Sequence, residues 1–287
     1  MVVKEFKNAR AFLDDYEAVL IEHEALGQLV LYWAYHYCDN EIHEKAFFGV
    51  VLEEKDVCLL FCNVSSDDLL IYAVDTDRIV PASIALADYF GNNHITIKGI
   101  IAAANVCQSF IEQLKQYVNC TFVEKMGMDI MELRQINEIK PVDGSHRLAQ
   151  PEEAKLAAQW MVEFQMEALT SETDYEEALQ KAVKQIEENQ IYFYEDIDHN
   201  VVSMAVASRK LAHGTTITYI YTPEEYRGKG YAAANIYYLS KELLEQGNEF
   251  CTLIIDKKNP LSNRAYEKVG YKVIGDSYEY SAVPNKI

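Results

Sequence analysis

No Cys-x-x-Cys pair occurs in this 287-residue chain, although it holds six cysteines, at positions 38, 58, 62, 107, 120 and 251. A disulfide framework or a zinc site is therefore not indicated, and thiols set in apolar runs read as buried and free. The segment His43-Glu44-Lys45-Ala46-Phe47 opens like a zinc-protease helix but has phenylalanine where the second histidine must stand, so no metal is expected. Uncharged apolar runs of the roughly 18 residues that a membrane helix needs are also missing. The opening segment, MVVKEFKNARAFLDDYE, carries acids where a signal peptide keeps an apolar core. The reading is a cytoplasmic protein with no membrane partner. Basic side chains are few: 26 Lys and Arg face 45 Asp and Glu, a formal net charge of −19. Nothing makes a basic stripe, which argues against nucleic acid and favours cationic partners. Glycine is scarce too, at 12 residues, so a place where glycines cluster carries information.

What is present suits a folded globular protein: 49% apolar and 25% charged residues, in a length that fits one large domain or two ordinary ones. KPVDGSH, from Lys140 to His146, combines Pro, Asp-Gly and Ser and is the best boundary, giving domains at 1–139 and 147–287 with a linker at 140–146. Residues 1–145 carry a net −12 and residues 146–287 a net −7. Apolar residues from Phe12 to Tyr37 recur at helical spacing and predict one long helix, or two joined near Gly27, with His23 on the apolar face. FFGVVL, VCLLFC and LLIYAV read as strands, followed by a helix opened by Pro81, a strand HITIKGII, a helix NVCQSFIEQLKQY, and strands TFVEK and DIMELRQI. After the boundary come a helix near Pro151 and a second helix whose Thr173 and Glu176 form a capping box. The hairpin IYFYE/VVSMAVAS follows, then the strand TTITYIYT, a helix over 230–246 and the strand FCTLIID. The short helix LSNRAYEKV and a last strand or pair, YKVIGDSYEYS, close the chain. The fold class is α+β with a mixed sheet, and the shared order of elements in the two halves hints at a degenerate repeat.

The glycines gather in YTPEEYRGKGYAAAN, residues 221–235, between a β-branched strand and a helix. A helix start leaves backbone N–H groups unpartnered at the positive end of its dipole, and glycines let an anion approach those groups closely. The segment therefore suits a pyrophosphate cradle, to which Arg227 and Lys229 add charge. An ATP P-loop would need Ser or Thr after Gly-Lys, where Gly230 stands. Gly228-x-Gly230-x-x-Ala233 formally meets the dinucleotide fingerprint, with Asp256 ending the next strand. Pro223 to Arg227 intervene after the strand, however, and too little chain follows Asp256 for further βαβ units.

ITYIYTPEEYRGKGYAAAN followed by LIIDKKNPLSNRAYEKVGYKVI resembles the acetyl-CoA-binding core of the GNAT-family N-acetyltransferases. The family's cofactor signature, Arg/Gln-x-x-Gly-x-Gly/Ala, is matched by Arg227, Gly230 and Ala232. Its second segment is matched by Asn259, Asn263 and Tyr266. The resemblance implies a split sheet in which the pantetheine arm enters between TTITYIYT and FCTLIID. It implies that backbone groups of Ile220, Tyr221 and Thr222 bond that arm, and that amides of Gly228, Lys229, Gly230, Tyr231 and Ala232 hold the pyrophosphate. Asn259 and Asn263 would hold the arm on its other side.

The implied reaction is acetyl transfer from acetyl-CoA to a primary amine of a small molecule or peptide. A lysine-like amine, with a pKa near ~10.4, must first lose its proton. The amide of Tyr221 or a neighbour would stabilise the oxyanion, and Tyr266 would return a proton to the leaving thiolate. No acid lies on TTITYIYT to serve as the base, which leaves Glu163, Glu167, Glu195, His213 or a water chain with Tyr219. The first half resembles the family in element order only. Its ITIKGIIAAANVCQSF takes the place of strand, cradle and helix without the arginine or the glycine pair, so no cofactor is expected there. Its role would be to cover the acceptor cleft, its acidity suiting a cationic amine. A catalytically silent acyl-CoA-binding module and an NAD(P)-binding oxidoreductase are the competing readings, and a homodimer is one assembly the sequence allows.

Overall fold

The computed structural model describes residues 1–6, 8–39, 47–63, 68–140, 142–168, 173–258 and 260–285, with the side chains of 39 and 260–263 excepted. The chain divides into two compact units: Met1–Ile130 with Ile274–Ile287, and Met131–Val273.

The first unit begins with β1 (Val2–Phe6), α1 (Ala9–Glu22) and α2 (Glu24–Asp39), and continues with β2 (Phe47–Glu53), β3 (Asp56–Asn63) and β4 (Asp68–Ala73). Then come α3 (Ile79–Asn92), β5 (Gly99–Ala102), α4 (Ala104–Leu114) and β6 (Cys120–Leu133), which runs on into the second unit. Asn8 starts α1 by accepting from the amides of Arg10 and Ala11. The helix pair breaks at His23, not at Gly27: the His23 carbonyl accepts from the amides of Leu26 and Gly27, and its side chain is exposed rather than apolar-facing. Gly27 serves packing instead, since a Cβ there would lie 3.1 Å from Leu20 Cδ2 and 3.3 Å from the Tyr72 ring. β1 to β4 form an antiparallel meander, and β4 pairs with β5 in parallel over Asp68–Leu70.

The second unit repeats that order: β7 (Ser145–Leu148), α5 (Ala154–Ala168), α6 (Tyr175–Glu187), β8 (Ile191–Glu195), β9 (Val201–Lys210), β10 (Gly214–Tyr221), α7 (Tyr231–Glu245), β11 (Phe250–Asp256) and α8 (Pro260–Val269). Here β7 to β10 are the antiparallel meander and β10 pairs with β11 in parallel. The element order shows that β4–α3–β5 stands where β10–α7–β11 stands. The segment around Gly99–Ala104 is thus the counterpart of β11 and the start of α8, not of the strand and cradle the sequence reading assigned it. Asp174, one residue beyond the expected Thr173, caps α6 by accepting from the amides of Glu176 and Glu177.

β12 (Lys272–Pro284) is one long strand, and its later part pairs with β5 of the first unit, Tyr278 opposite Ala102 through Ser281 opposite Gly99. β6 is likewise one strand, where two were expected, and its Met131 carbonyl accepts from Thr252 Oγ1 on β11. The segment 140–146 accordingly lies inside the second unit, with β7 beginning at Ser145, and the final strand belongs to the first. Local pattern cannot show which strands a strand will pair with.

Candidate active site

Alternation along β8 and β9 sorts the second unit's core into two layers. Phe193, Met204 and Val206 face α5 and α6, whereas Tyr192 and Ala205 face α7 and α8. β10 breaks this alternation. Its register with β9 shifts after Thr216 and again between Thr218 and Tyr221, and Tyr219 has φ +47. In consequence Ile217 and Ile220 face the α7 layer, and Tyr219 and Tyr221 face α5. A bulge of this kind re-aims side chains and bends the strand. On its other edge β10 pairs with β11 only at Gly214–Thr216, so the two strands part beyond Thr216 and Thr252.

The open end is lined as follows. The Tyr221 carbonyl faces β9 and accepts from Ser203 Oγ at 3.2 Å, and Thr222 Oγ1 donates to Ser203 Oγ at 3.1 Å. Because successive backbone units point to opposite edges, the Ile220 amide and carbonyl turn toward β11. The Thr222 carbonyl accepts from Arg227 Nε at 2.8 Å. Arg227 also pairs with Glu167 on α5, so its guanidinium braces the turn against that helix. Glu167 accepts in addition from Tyr221 Oη at 3.2 Å. Burial, reinforced by the Glu163 and Glu167 carboxylates, holds the Tyr221 phenol well above the usual tyrosine range, so it stays a proton donor.

Beyond Pro223 a 3-10 turn at 224–226 leads to Gly228 at φ +76 and Gly230 at φ +91, a conformation natural to glycine. α7 then starts at Tyr231. Among the described residues no side chain caps it, and the Gly228, Lys229 and Gly230 amides make no bond to another backbone group. A Cβ at Gly228 would meet nothing within 4 Å. Lys229 is exposed, and Tyr231 and Ala232 are half-buried at the head of the helix. The result is an exposed nest of N–H donors at a helix N-terminus, the arrangement that holds phosphates.

Tyr266 sits on α8, 5% exposed, packed with Leu253, Ile255 and Val269 and edge-on to Tyr271 at 6.4 Å. The two tyrosines singled out from sequence therefore lie in opposite layers, with the parted strands between them. Asn259 lies outside the described residues, as does the side chain of Asn263. Of the base candidates, Glu195 is held by Arg147 at 2.6 Å, which keeps its carboxyl below the usual range. His213 is exposed, and Glu167 is shared between Arg227 and Tyr221. Glu163 accepts from Gln159 at 2.8 Å. Sequence reasoning missed Ser203, Gln165 and Lys181. The last two both reach Tyr219 Oη at 3.0 Å, and neither stands in a motif.

Residues 155–271 match the sequence model of the Acetyltransferase (GNAT) family. This segment is a GNAT-family domain. Solved structures extend the likeness of fold to both units. A GCN5-related N-acetyltransferase from Sphaerobacter thermophilus superposes with a TM-score of 0.64 at 15% identity, over 100% of this chain and 96% of that one. A GNAT-family acetyltransferase from Colwellia psychrerythraea gives 0.57 at 13% identity, over 98% and 99%. The whole chain thus has the fold of GNAT acetyltransferases, a mixed α/β sheet in two tandem copies. No curated protein matches it. Among the described residues no group of His, Cys, Asp or Glu is placed to hold a metal ion, and no helix is long and apolar enough to cross a membrane.

Proposed function

We propose that the GNAT domain transfers an acetyl group from acetyl-CoA to a primary amine of a small molecule or peptide. The observation that carries this reading is the parting of β10 from β11 after Thr216, which leads directly to the uncapped amides at Gly228–Ala232. An extended pantetheine arm can add to a strand edge that has lost its neighbour, and the pyrophosphate then falls on the helix start. The residues present fit this ligand: the glycine turn is open, and the Ile220 backbone faces the gap. Arg227, engaged with Glu167 and Thr222, shapes the turn rather than offering a free charge.

Acetyl-CoA supplies an activated thioester carbonyl. The acceptor ammonium gives one proton to water, and the nitrogen lone pair forms the N–C bond. The C–S bond breaks with its electron pair on sulfur, and the nitrogen gives a second proton to water. An amide at the bulge, that of Ile220 or Tyr221, donates to the developing oxyanion. Tyr266 gives its phenolic proton to the departing sulfur and regains one from solvent. A silent acyl-CoA-binding module would share the cradle but not this last step. The family match gives the nicotinamide reading no support.

Acetyl-CoA should raise the melting temperature of the protein, and a panel of primary amines should release free CoA. Absence of the thermal shift sinks the cradle, whereas a shift without turnover by any amine leaves the binding module.

A further inference from the structure

Tyr219 is the one non-glycine residue with positive φ inside a described strand; the others, Glu54, His94, Asn189 and His199, lie in connections between elements. Strain held in the middle of a strand marks a side chain placed for a purpose. Its ring lies against Phe164, at 5.3 Å between centroids. Lys181 from α6 stands over it, with Nζ 4.7 Å from the ring centroid and 3.0 Å from the hydroxyl oxygen. Gln165 Nε2 donates to the same oxygen. The chain has 45 acidic side chains, yet among the described residues none lies within ion-pair distance of Lys181. The lysine has taken an aromatic face and a phenolic oxygen instead. That face is directed to the α5 layer one residue before Ile220, whose backbone turns into the gap.

We infer that the Tyr219 ring, with its hydroxyl and Gln165, is a subsite for a primary alkylammonium group, and that Lys181 fills it in the free protein. This inference rests on the proposed function, because the subsite matters as the landing place of the acceptor amine. A lysine side chain is itself a primary ammonium on a four-carbon stem, so the contact displays the chemical class of ligand the site takes. Attraction of the cation to the ring, together with the phenolic acceptor, recognises the charge without demanding a particular shape beyond it. An incoming amine has to displace Lys181, which thereby raises the threshold for weak amines.

The test is titration of the full-length protein with n-pentylammonium chloride in the presence of CoA, read by calorimetry. Lys181→Met should tighten binding about three- to five-fold, the range of an exposed cation–aromatic contact. Tyr219→Leu should weaken it by a similar factor, with Tyr219→Phe in between, since the ring stays and the hydroxyl goes. Equal affinity in wild type and Lys181→Met overturns the subsite. Should Tyr219→Leu fail to fold, Lys181→Met and Tyr219→Phe decide alone. An acetyl-CoA thermal shift measured on the same samples separates the failures. A normal shift with pentylammonium affinity indifferent to Lys181 removes the subsite only, while no shift in wild type removes the proposed function and the subsite with it.

Discussion

The turn after β10 and the turn after β4 occupy the same step in two copies of one element order, and they are built from opposite chemistry. The first has Gly228 and Gly230 at positive φ, ahead of a helix with no side-chain cap. The second has no glycine. Asp75 accepts from the Asp77 amide, and Arg78 is ringed by Glu53, Asp56 and Asp75 at 3.1, 3.0 and 3.3 Å. Both parallel pairs, β4 with β5 and β10 with β11, register over three residues and then stop. The fold therefore parts the strands in each copy, and the two turns differ in the groups they offer there. Asp75 caps the 3-10 turn at 76–78, which also holds Asp77, while among the described residues no side chain caps α3 itself. The glycines and not the capping therefore set the two turns apart. On the proposed function, the second copy carries the chemistry and the first only the architecture.

The sharpest test of that division is Tyr266→Phe in the second unit, which removes one oxygen and keeps the packed ring. Turnover should fall about 100-fold or more, the usual reach of a proton donor, with the acetyl-CoA thermal shift preserved. Retained turnover would return Tyr266 to the core, where Tyr271 and Val269 surround it.

Next in size is the cradle. Gly230→Glu should abolish the acetyl-CoA shift, because a carboxylate would face the phosphates. Its Cβ would also meet Val142 Cγ1 at 3.1 Å in a left-handed conformation that costs roughly 1–2 kcal/mol, so the variant loses stability too. Ala232→Glu isolates the charge, since an acid in the first helical turn is favourable to folding. It should weaken acetyl-CoA at least about tenfold while the apo protein melts normally. Asp77→Ala in the other turn should leave that affinity alone. An acetyl-CoA effect there would mean that both copies bind.

The glycine turn into α7 and the second unit's strands were legible because their signals are local: β-branched runs, and glycines where a helix begins. The bulge in TTITYIYT was implied by the family resemblance alone, since its residues alternate like any strand, and its place at Thr218–Tyr221 shows only in the pairing with β9. The same limit hid the bracing of Arg227, whose partner Glu167 is sixty positions away. It also hid the allegiance of β12, a matter of sheet neighbours rather than of pattern.

The two units differ also in their histidines. Among the described residues, those of the first unit, His23, His36 and His94, are all exposed. In the second, His146 on β7 lies between the rings of Tyr192 and Tyr238, with Nδ1 2.9 Å from Asn235 Oδ1. The charged group facing it is Glu242 on α7, 3.8 Å from Nε2 and already accepting from Tyr192 Oη. Burial lowers the His146 pKa below its ordinary value, against smaller opposing effects of Asn235 and Glu242. The unfolded chain then takes up the proton first, so this contribution to stability is complete above about pH 6.5 and is lost as pH falls through that value. Denaturant midpoints of the second unit should drop between pH 7 and 5, with a slope of at most about 1.4 kcal/mol per pH unit, and His146→Phe should flatten the drop. A slope unchanged in the variant assigns the effect to other groups.

The smallest expected effect probes where β12 belongs. Asp276 Oδ1, on that strand, accepts from the Ala104 amide at 3.2 Å and so supplies a carboxylate to the start of α4. Among the described residues no side chain of α4's own N-cap does this, because Ala103 stands there. Asp276→Ala should cost about 1 kcal/mol, the worth of a helix cap, and Asp276→Asn less, since the amide oxygen still accepts. Hydrogen exchange should show the loss in α4 and β5, with β10 and α7 unaffected. If protection fell instead around α8, from which the chain runs into β12, the strand would be acting as part of the second unit, and the two copies would be less separable than their turns imply.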